Sequence, residues 1–418
     1  MNTVEDHFVK TRGKRKEGQK KLGPEDFPDE GLVRRELYPW NCLEPDRFSE
    51  ESLNFLNDEM AVAAPKLEVR AVELPDLTTD DPDQKRSVKQ LGVFAKEDIA
   101  PGETVLEETS LLTANNRLQD ALCDACSEDL PDLAAINSGS CTVVSCDECE
   151  AVFCSQRCYD LAQELYHPAL CDQDVETLAK DVAPAQAANS LYTLLLLRAL
   201  AMAETQQLHP LSLKEVKYIW GDYHTLSLND HWTPHSRTKT TTPFPLTLPF
   251  SFHNNVVLPF HMLTKMDVNI FENPHRYDTW VFNTLYAKFR GTASARLSGL
   301  GGRLIRGPEV SAVHPLWCLA NHSCDPNVSW EWGGSIKFWA REERFEWKNG
   351  RDGTAEMNKR TAPGLKKGEE VLNHYCDVEL PVRERREWAV GALGGECRCE
   401  RCMWEAARDK GSASFTAE

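Results

Sequence analysis

Eight cysteine and histidine side chains between residues 123 and 171 constrain the fold of this chain more than any other feature of its sequence. Two ligands separated by two residues can both face one ion from a tight turn, and Zn²⁺ in structural sites takes four ligands at tetrahedral positions. Eight ligands fill two such sites, and Cys141 is then left over. Incidental buried cysteines are the alternative, which the paired spacings disfavour. The order is Cys123-x2-Cys126, Cys146-x2-Cys149, x4-Cys154, x3-Cys158, x8-His167 and x3-Cys171.

The charge and hydropathy of the chain exclude some classes of protein. With 47 basic and 65 acidic residues, the formal net charge is -18. An acidic surface repels nucleic acid and attracts basic peptides, although the excess of acid is explained equally well by solubility. No apolar run reaches about 18 residues, and the N-terminal MNTVEDHFVK lacks a signal-peptide core. We therefore expect no membrane span, no direct binding to nucleic acid, and a location in the nucleus or cytoplasm, where thiols stay reduced.

The cysteine cluster resembles the MYND zinc finger, on Phe153-Cys154-Ser155 and on Cys158…His167…Cys171. The long gap between Cys126 and Cys146 departs from that family and leaves Cys141 as an alternative ligand. MYND fingers bind short proline-containing peptides, and the resemblance implies such a partner. It also implies an interleaved arrangement of two ions, one held by Cys123, Cys126, Cys154 and Cys158, the other by Cys146, Cys149, His167 and Cys171.

A second constellation joins three segments that are distant in sequence. NHSCDPN, residues 321–327, combines polar groups with one thiol, and GEEVLNHYCD, residues 368–377, reads as a strand that ends in a tyrosine-bearing turn. Cys397, Cys399 and Cys402 offer three ligands to a metal that needs four. Cys324 is the natural fourth ligand. This bond would hold the C-terminal segment against the Asn-His turn.

These three segments resemble the SET methyltransferase core with a post-SET zinc, and the inserted finger makes the chain similar to the SMYD-like subgroup. The resemblance covers roughly residues 88 to 404. It implies an α+β fold with a SET-type β-rich core of small curved sheets, a C-terminal strand threaded through a loop, S-adenosylmethionine as cofactor, and three zinc ions. The expected division is an N-terminal extension (1–87), the SET core (88–112 and 281–380), the MYND finger (123–171), a mostly helical insertion (172–280), the post-SET zinc segment (381–404) and a tail (405–418).

The same resemblance implies the residues of the cofactor site, and the sequence departs from the family at two of its positions. Gln90 stands where the family has its first glycine, and Gly394-Gly395-Glu396 replaces an aromatic residue just before Cys397. Contacts with adenine would then come from Trp388 or Trp404. The implied cofactor contacts are Leu91, Gly92, Asn283, Asn321, His322 and Tyr375.

The chemistry of methyl transfer to lysine assigns a role to Tyr375. A lysine amine has a pKa of about 10.4, so deprotonation at neutral pH costs roughly 4 kcal/mol. The protein must desolvate the amine and align it with the methyl carbon, and a tyrosine hydroxyl can orient the amine without competing as a nucleophile. A buried structural role is the alternative for Tyr375. His374 and Asp377 are interpreted as structural, and Cys376 and Cys318 as small buried apolar side chains.

We therefore predict an S-adenosylmethionine-dependent enzyme that methylates lysine in a basic segment of a histone or another protein. The alternative is an inactive SET scaffold that recruits partners through the finger, a role that the two departures favour.

Periodicity and turn residues predict several elements. A strand, a turn and a second strand are expected over residues 89–108, and a buried helix at Leu191–Leu200. A further helix is expected from Trp280, a hairpin around Gly333-Gly334, and a helix over about 381–390. Most of residues 1 to 85 is expected to be a loosely ordered extension, in which the basic cluster Lys10–Lys16 is a solvated tail or a nuclear-import signal.

Overall fold

The computed structural model describes most of the chain. Cys141 and the basic cluster Lys10–Lys16 lie outside the described part. None of the helices in that part is long and apolar enough to cross a membrane. The described residues are 32–33, 43–77, 87–116, 122–131, 143–175, 187–220, 226–227, 253–296, 309–345, 362–393 and 395–413.

Strands and helices alternate irregularly along the chain. The strands are β1 Leu32–Val33, β2 Leu67–Pro75, β3 Ser87–Ala95, β4 Thr104–Glu108, β5 Thr113–Asn115, β6 Val144–Ser145, β7 Val152–Phe153, β8 Leu226–Ser227, β9 Ala293–Arg296, β10 Val310–Val313, β11 Val328–Trp332 and β12 Ile336–Ala340. The α-helices are α1 Glu50–Ala63, α2 Gln156–Leu165, α3 Ala187–Thr205, α4 Lys214–Lys217, α5 Leu258–Lys265, α6 Thr279–Thr292, α7 Val382–Leu393 and α8 Glu400–Ala413. Short 3-10 helices lie at His167–Ala169, Pro210–Ser212 and Trp317–Leu319, and a π-helical turn lies at His253–Val257.

The strands form small antiparallel sheets, as the α+β prediction requires. Two of these sheets have three strands, in the orders β5-β10-β9 and β11-β12-β4. β2 pairs with β3 over the whole length of both strands, from Leu67 opposite Ala95 to Pro75 opposite Ser87. β11 and β12 form the expected hairpin, whose turn contains Gly333 and Gly334. A β-rich core of small sheets is therefore confirmed.

Residues 43–77 are ordered, which differs from the expectation of a loosely ordered extension. Ser49 caps α1 by accepting a hydrogen bond from the Ser52 main chain. The Asn57 amide then bonds both main-chain groups of Val69, at 2.8 and 3.1 Å, and so fixes α1 on β2. Leu56 and Met60 fill the apolar core under the sheets. The order of residues 43–77 comes from helix packing and strand pairing, which composition does not reveal.

Helix α3 is the centre of a second apolar core. Its leucines are buried on every face, which is typical of a helix enclosed by other elements. The zinc-finger segment packs on one side of it and α5 and α6 on another. Arg198 of α3 bonds the Asp124 carbonyl at 3.0 Å and lies over the Tyr166 ring, and the Tyr166 hydroxyl donates to the Asp124 carboxylate at 2.6 Å. This polar cluster ties the finger segment to the helix.

Residues 368–375 lie between β3 and the turn at 320–327. Val371 N–H donates to the Val93 carbonyl at 2.7 Å, and Asn373 N–H donates to the Asn321 carbonyl at 2.8 Å. The predicted strand here was wrong, because the segment makes only isolated bridges, Phe94 with Glu370 and His322 with Asn373. Its neighbour at 320–327 is a turn and cannot continue a ladder. Threading of the chain through a loop stays a prediction.

Candidate active site and metal centres

The finger segment brings its eight predicted ligands into two groups, in the interleaved arrangement that the resemblance implied. Within each group, the sulfur and nitrogen atoms lie within 4.8 Å of one another. The Cys154 sulfur is 3.5 Å from that of Cys158 and 3.8 Å from that of Cys126. In the second group, His167 Nε2 lies 3.4 and 3.6 Å from the sulfurs of Cys146 and Cys149. The groups are Cys123, Cys126, Cys154 and Cys158, and Cys146, Cys149, His167 and Cys171.

These separations fit a tetrahedral metal ion. Thiolates bound at about 2.3 Å to a tetrahedral Zn²⁺ lie about 3.8 Å apart, and a sulfur and an imidazole nitrogen lie about 3.6 Å apart. A disulfide would need an S–S distance of about 2.05 Å, which none of these pairs approaches. Both groups can therefore hold zinc.

A third thiol group joins the Asn-His turn to the C-terminal segment, as expected. The Cys324 sulfur lies 3.3 Å from that of Cys402 and 3.9 Å from that of Cys397. Cys399 completes the group within 4.8 Å. Around it, Arg401 Nη1 donates to the Cys324 carbonyl at 2.7 Å. This side-chain bond is a second link between α8 and the turn, besides the thiol group.

His322 connects this metal group to Tyr375. The Tyr375 main-chain N–H donates to His322 Nδ1 at 3.0 Å, so Nδ1 is the acceptor and the ring proton lies on Nε2. Nε2–H then faces the Cys324 sulfur at 3.4 Å. A donor beside a metal-bound thiolate orients and stabilises it. Burial lowers the pKa of His322 to about 4, which keeps the ring neutral.

The Asn321 side chain holds β3 close to the segment 368–375. Its Nδ2 donates to the Leu91 carbonyl at 3.0 Å and to Glu370 Oε1 at 2.8 Å. A Cβ on Gly92 would lie 2.7 Å from Glu370 Oε1 and 3.1 Å from Asn321 Nδ2. A larger residue here would displace the ends of the Glu370 and Asn321 side chains from this approach. Leu91, Gly92 and Asn321 are therefore brought together.

Tyr375 lies against the same turn. Its hydroxyl donates to the Ala320 carbonyl at 2.9 Å, and its ring lies 5.2 Å from that of His322. The ring of Trp317 lies 6.4 Å from Tyr375 and 5.5 Å from Trp330. The phenol oxygen retains acceptor lone pairs after donating its proton, and the half-buried Tyr375 ring lies beside other aromatic rings.

Glu108 positions the Trp317 turn. Its two carboxylate oxygens accept the main-chain N–H groups of Leu316 at 3.0 Å and Trp317 at 2.8 Å. Burial raises the pKa of Glu108 to about 7, despite these two bonds.

Buried amides hold the other side of the turn. Asn327 is fully buried, and its Nδ2 donates to the Glu370 carbonyl at 2.7 Å while its Oδ1 accepts from Leu372 N–H at 2.7 Å. Asn373 is also fully buried; its Oδ1 accepts from His374 N–H at 2.7 Å, and its Nδ2 has no protein partner. A buried donor without a partner is costly. A bound molecule with an acceptor atom that reaches Asn373 would satisfy it, so the residues fit a polar cofactor or substrate.

The comparisons with known proteins agree with this geometry. The model of the SET domain family matches residues 90–376, more than half of the chain. The chain belongs to the SET domain family. Over 107 residues, 26% of its length, it is 33% identical to the histone-lysine N-methyltransferase ATXR2 of Arabidopsis thaliana, and the match covers 19% of that protein. The chain thus spans about a fifth of the length of this curated relative.

The two departures from the SET pattern have structural explanations. The Gln90 side chain accepts a hydrogen bond from the Arg47 guanidinium, which belongs to the ordered N-terminal segment. A Cβ on Gly395 would lie 1.9 Å from the Leu77 carbonyl, so residues that follow β2 fill the space an aromatic side chain would need before Cys397. In this SET protein, the N-terminal segment therefore contacts the chain at both positions.

Three other residues were predicted to contact the cofactor from helices of the chain. Asn283 lies half-buried in α6, and its contact with the cofactor stays a prediction. The same holds for adenine contacts of Trp388, which is 41% exposed on α7, and of Trp404 on α8.

Sequence reasoning missed Glu370 and Asn373, although both lie in the quoted GEEVLNHYCD. It interpreted Cys376 as apolar filling; the side chain is buried, but its sulfur lies among the metal ligands.

Proposed function

We propose that this SET protein is an S-adenosylmethionine-dependent methyltransferase of lysine side chains in a protein substrate. Leu91, Gly92, Asn321 and the main chain at His322 would hold the cofactor, which supplies an electrophilic methyl group on a sulfonium. The observation that carries the proposal is the Tyr375 hydroxyl, hydrogen-bonded to the carbonyl that precedes Asn321. It connects a phenol with the turn that the SET resemblance assigns to the cofactor.

The residues around Tyr375 suit the needs of a lysine nucleophile. Trp317 lies between the Tyr375 ring and Trp330 and supplies apolar surface beside the phenol, and desolvation lowers the pKa of an amine. The amine loses its proton to solvent before it is enclosed, and the Tyr375 oxygen and the nearby carbonyls then orient its lone pair. Tyr375 itself neither gains nor loses a proton.

The proposed substrate is a basic protein segment, from a histone or another protein. Asp377 and Glu379, two and four residues after Tyr375, are exposed. Together with the net charge of -18 of the whole chain, these two carboxylates favour a positively charged peptide. A nuclear or cytoplasmic location follows from such a substrate.

We further propose that three zinc ions occupy the three thiol groups. Each zinc contributes on the order of 10 kcal/mol to the folding of a segment with little apolar core. The finger would present a surface for a proline-containing peptide of a partner protein.

The test compares Tyr375→Phe with Tyr159→Phe, a variant in the zinc finger. Both variants should keep the rise in melting temperature that S-adenosylhomocysteine causes, because both retain Leu91, Gly92, Asn321 and the main chain at His322. With labelled S-adenosylmethionine and a panel of histones and cell extract, Tyr375→Phe should lose about 100-fold or more of the transfer rate, as expected when an orienting group is removed. Tyr159→Phe should retain it.

Retained transfer in Tyr375→Phe would exclude Tyr375 as the catalytic tyrosine. A wild-type protein that is neither stabilised by the cofactor nor active on any substrate would instead be the inactive scaffold. The contacts of the N-terminal segment with Gln90 and Gly395 support this second function.

A further inference from the structure

The third metal group contains one more sulfur than an ion needs. Besides its four thiols, the sulfur of Cys376 and a ring nitrogen of His322 lie within 4.8 Å of the Cys324 sulfur. Cys324 is thus shared by two groups, one with the C-terminal thiols and one with Cys376. Among the described residues, neither finger group has such an additional thiol.

The two segments that carry Cys324 and Cys376 are held side by side. Ser323 N–H donates to the Asn373 carbonyl at 2.7 Å, and Asn373 N–H donates to the Asn321 carbonyl at 2.8 Å. The bond from Tyr375 N–H to His322 Nδ1 continues this contact toward the thiols. Rotation of the two side chains therefore has to close only the gap between their sulfurs, to about 2.05 Å.

We propose that Cys376 is a redox-modification site, at which a hydroperoxide produces a Cys376–Cys324 disulfide and releases the third zinc ion. The Cys376 sulfur is not one of the four ligands, so its lone pairs are not shared with a metal. Cys376 directly follows Tyr375 in the chain and is 6% exposed, so the oxidant that reaches it has to be as small as hydrogen peroxide. The inference requires zinc at the third group and is independent of methyl transfer.

The reaction balances with the hydroperoxide as the only oxidant. Cys376 is oxidised to the sulfenic acid while the peroxide O–O bond breaks and leaves an alcohol, or water from hydrogen peroxide. The Cys324 thiolate then attacks the sulfenic sulfur, the S–S bond forms and the S–O bond breaks, and the hydroxide takes a proton to become water. Two thiols have lost two electrons to one peroxide.

The disulfide removes one ligand from the ion and leaves Cys397, Cys399 and Cys402 with three thiols for a metal that takes four. The ion leaves, and the C-terminal segment loses its metal bond to the Asn-His turn. Oxidation therefore opens the proposed cofactor site on its C-terminal side, while the new bond keeps Tyr375 beside the turn.

The experiment treats the full-length zinc-loaded protein with hydrogen peroxide at about one equivalent. It measures zinc release with a chromogenic chelator and maps disulfides in unreduced peptides by mass spectrometry. Three zinc ions per chain should be present at the start. We expect one ion to leave first, together with a 324–376 linked peptide, and thiol reductant plus zinc to reverse both changes.

Two variants make the test specific. In Cys376→Ser, release of that ion should slow by at least about fivefold and the linked peptide should be absent, because the sulfenic acid cannot form there. Cys318→Ser, which removes a half-buried thiol bonded to the Pro315 carbonyl, should behave like the wild type. Equal release in Cys376→Ser, or wild-type disulfides only among Cys397, Cys399 and Cys402, would overturn the inference. Two ions per chain at the start would refute the third zinc itself, whatever the methyl-transfer assay shows.

Discussion

Replacing Asn327 with alanine should loosen the segment 368–375 from the Asn-His turn. Asn327 is fully buried and ends the NHSCDPN motif. Its side chain satisfies the Glu370 carbonyl and the Leu372 N–H at 2.7 Å each, and makes a longer bond of 3.2 Å to Glu369 Oε1. In Asn327→Ala, the Glu370 carbonyl and the Leu372 N–H both lose this partner.

The cost follows from these bonds. A hydrogen bond contributes about 1 kcal/mol net, and a buried polar group left without a partner costs about 1 to 3 kcal/mol. Water reaches part of this segment, so we take the lower end for each of the two main-chain groups and add a small cavity term. The expected loss is about 2 to 4 kcal/mol of unfolding free energy.

Hydrogen exchange and urea unfolding can both measure this loss. In Asn327→Ala, amides in the peptide that spans residues 368–375 should exchange at least about tenfold faster, since each 1.4 kcal/mol of opening free energy is a factor of ten. Ser329→Ala, which removes a half-buried acceptor of the Arg341 guanidinium, is the control and should leave that peptide unchanged. If the two variants differ by less than 1 kcal/mol, the assigned role of the Asn327 amide is wrong.

Three other perturbations address separate parts of the molecule. Gly92→Ala should weaken S-adenosylmethionine binding at least about tenfold in calorimetry, because its Cβ would contact Glu370 Oε1 at 2.7 Å; unchanged affinity would contradict the close approach. The pKa of Glu108 is raised to about 7, so between pH 4.5 and 7 the folded chain retains a proton that the unfolded chain releases. The free energy of unfolding should therefore fall with rising pH in this window and level off above it. Urea unfolding from pH 5 to 8 should show this slope, with a loss of at most about 3 kcal/mol, and Glu108→Gln should flatten it. Tyr166→Phe removes the 2.6 Å bond to Asp124 and should destabilise the finger segment by about 1 to 2 kcal/mol in urea unfolding, where no change would exclude that bond as a tether.

The local signals in the sequence predicted the metal groups and several elements. Spacings such as Cys123-x2-Cys126 encode a turn that presents two ligands, so the ligands could be predicted from local sequence. Their division into two interleaved groups came from the resemblance to the MYND finger. The helix through Leu191–Leu200 and the hairpin at Gly333-Gly334 rest on periodicity and turn residues, which act over a few positions.

Long-range pairing explains what the sequence could not predict. The order of residues 43–77 depends on β2 meeting β3 and on Asn57 meeting Val69, neither of which composition shows. The segment at 370–373 has a strand-like sequence, but a turn as its neighbour. The place of Cys376 among the thiols could not be read from a lone cysteine, because its proximity to Cys324 depends on how two distant segments pair.

The shared position of Cys324 has a consequence for the order in which the molecule matures during synthesis. Cys397, Cys399 and Cys402 are the last ligands to leave the ribosome, whereas both finger groups can bind zinc well before them. If the three groups hold zinc as proposed, a nascent chain would acquire the two finger ions early and complete the turn beside Tyr375 only after Cys402 emerges. A translation product that stops before Cys397 would then combine a metal-loaded finger with an incomplete proposed active site.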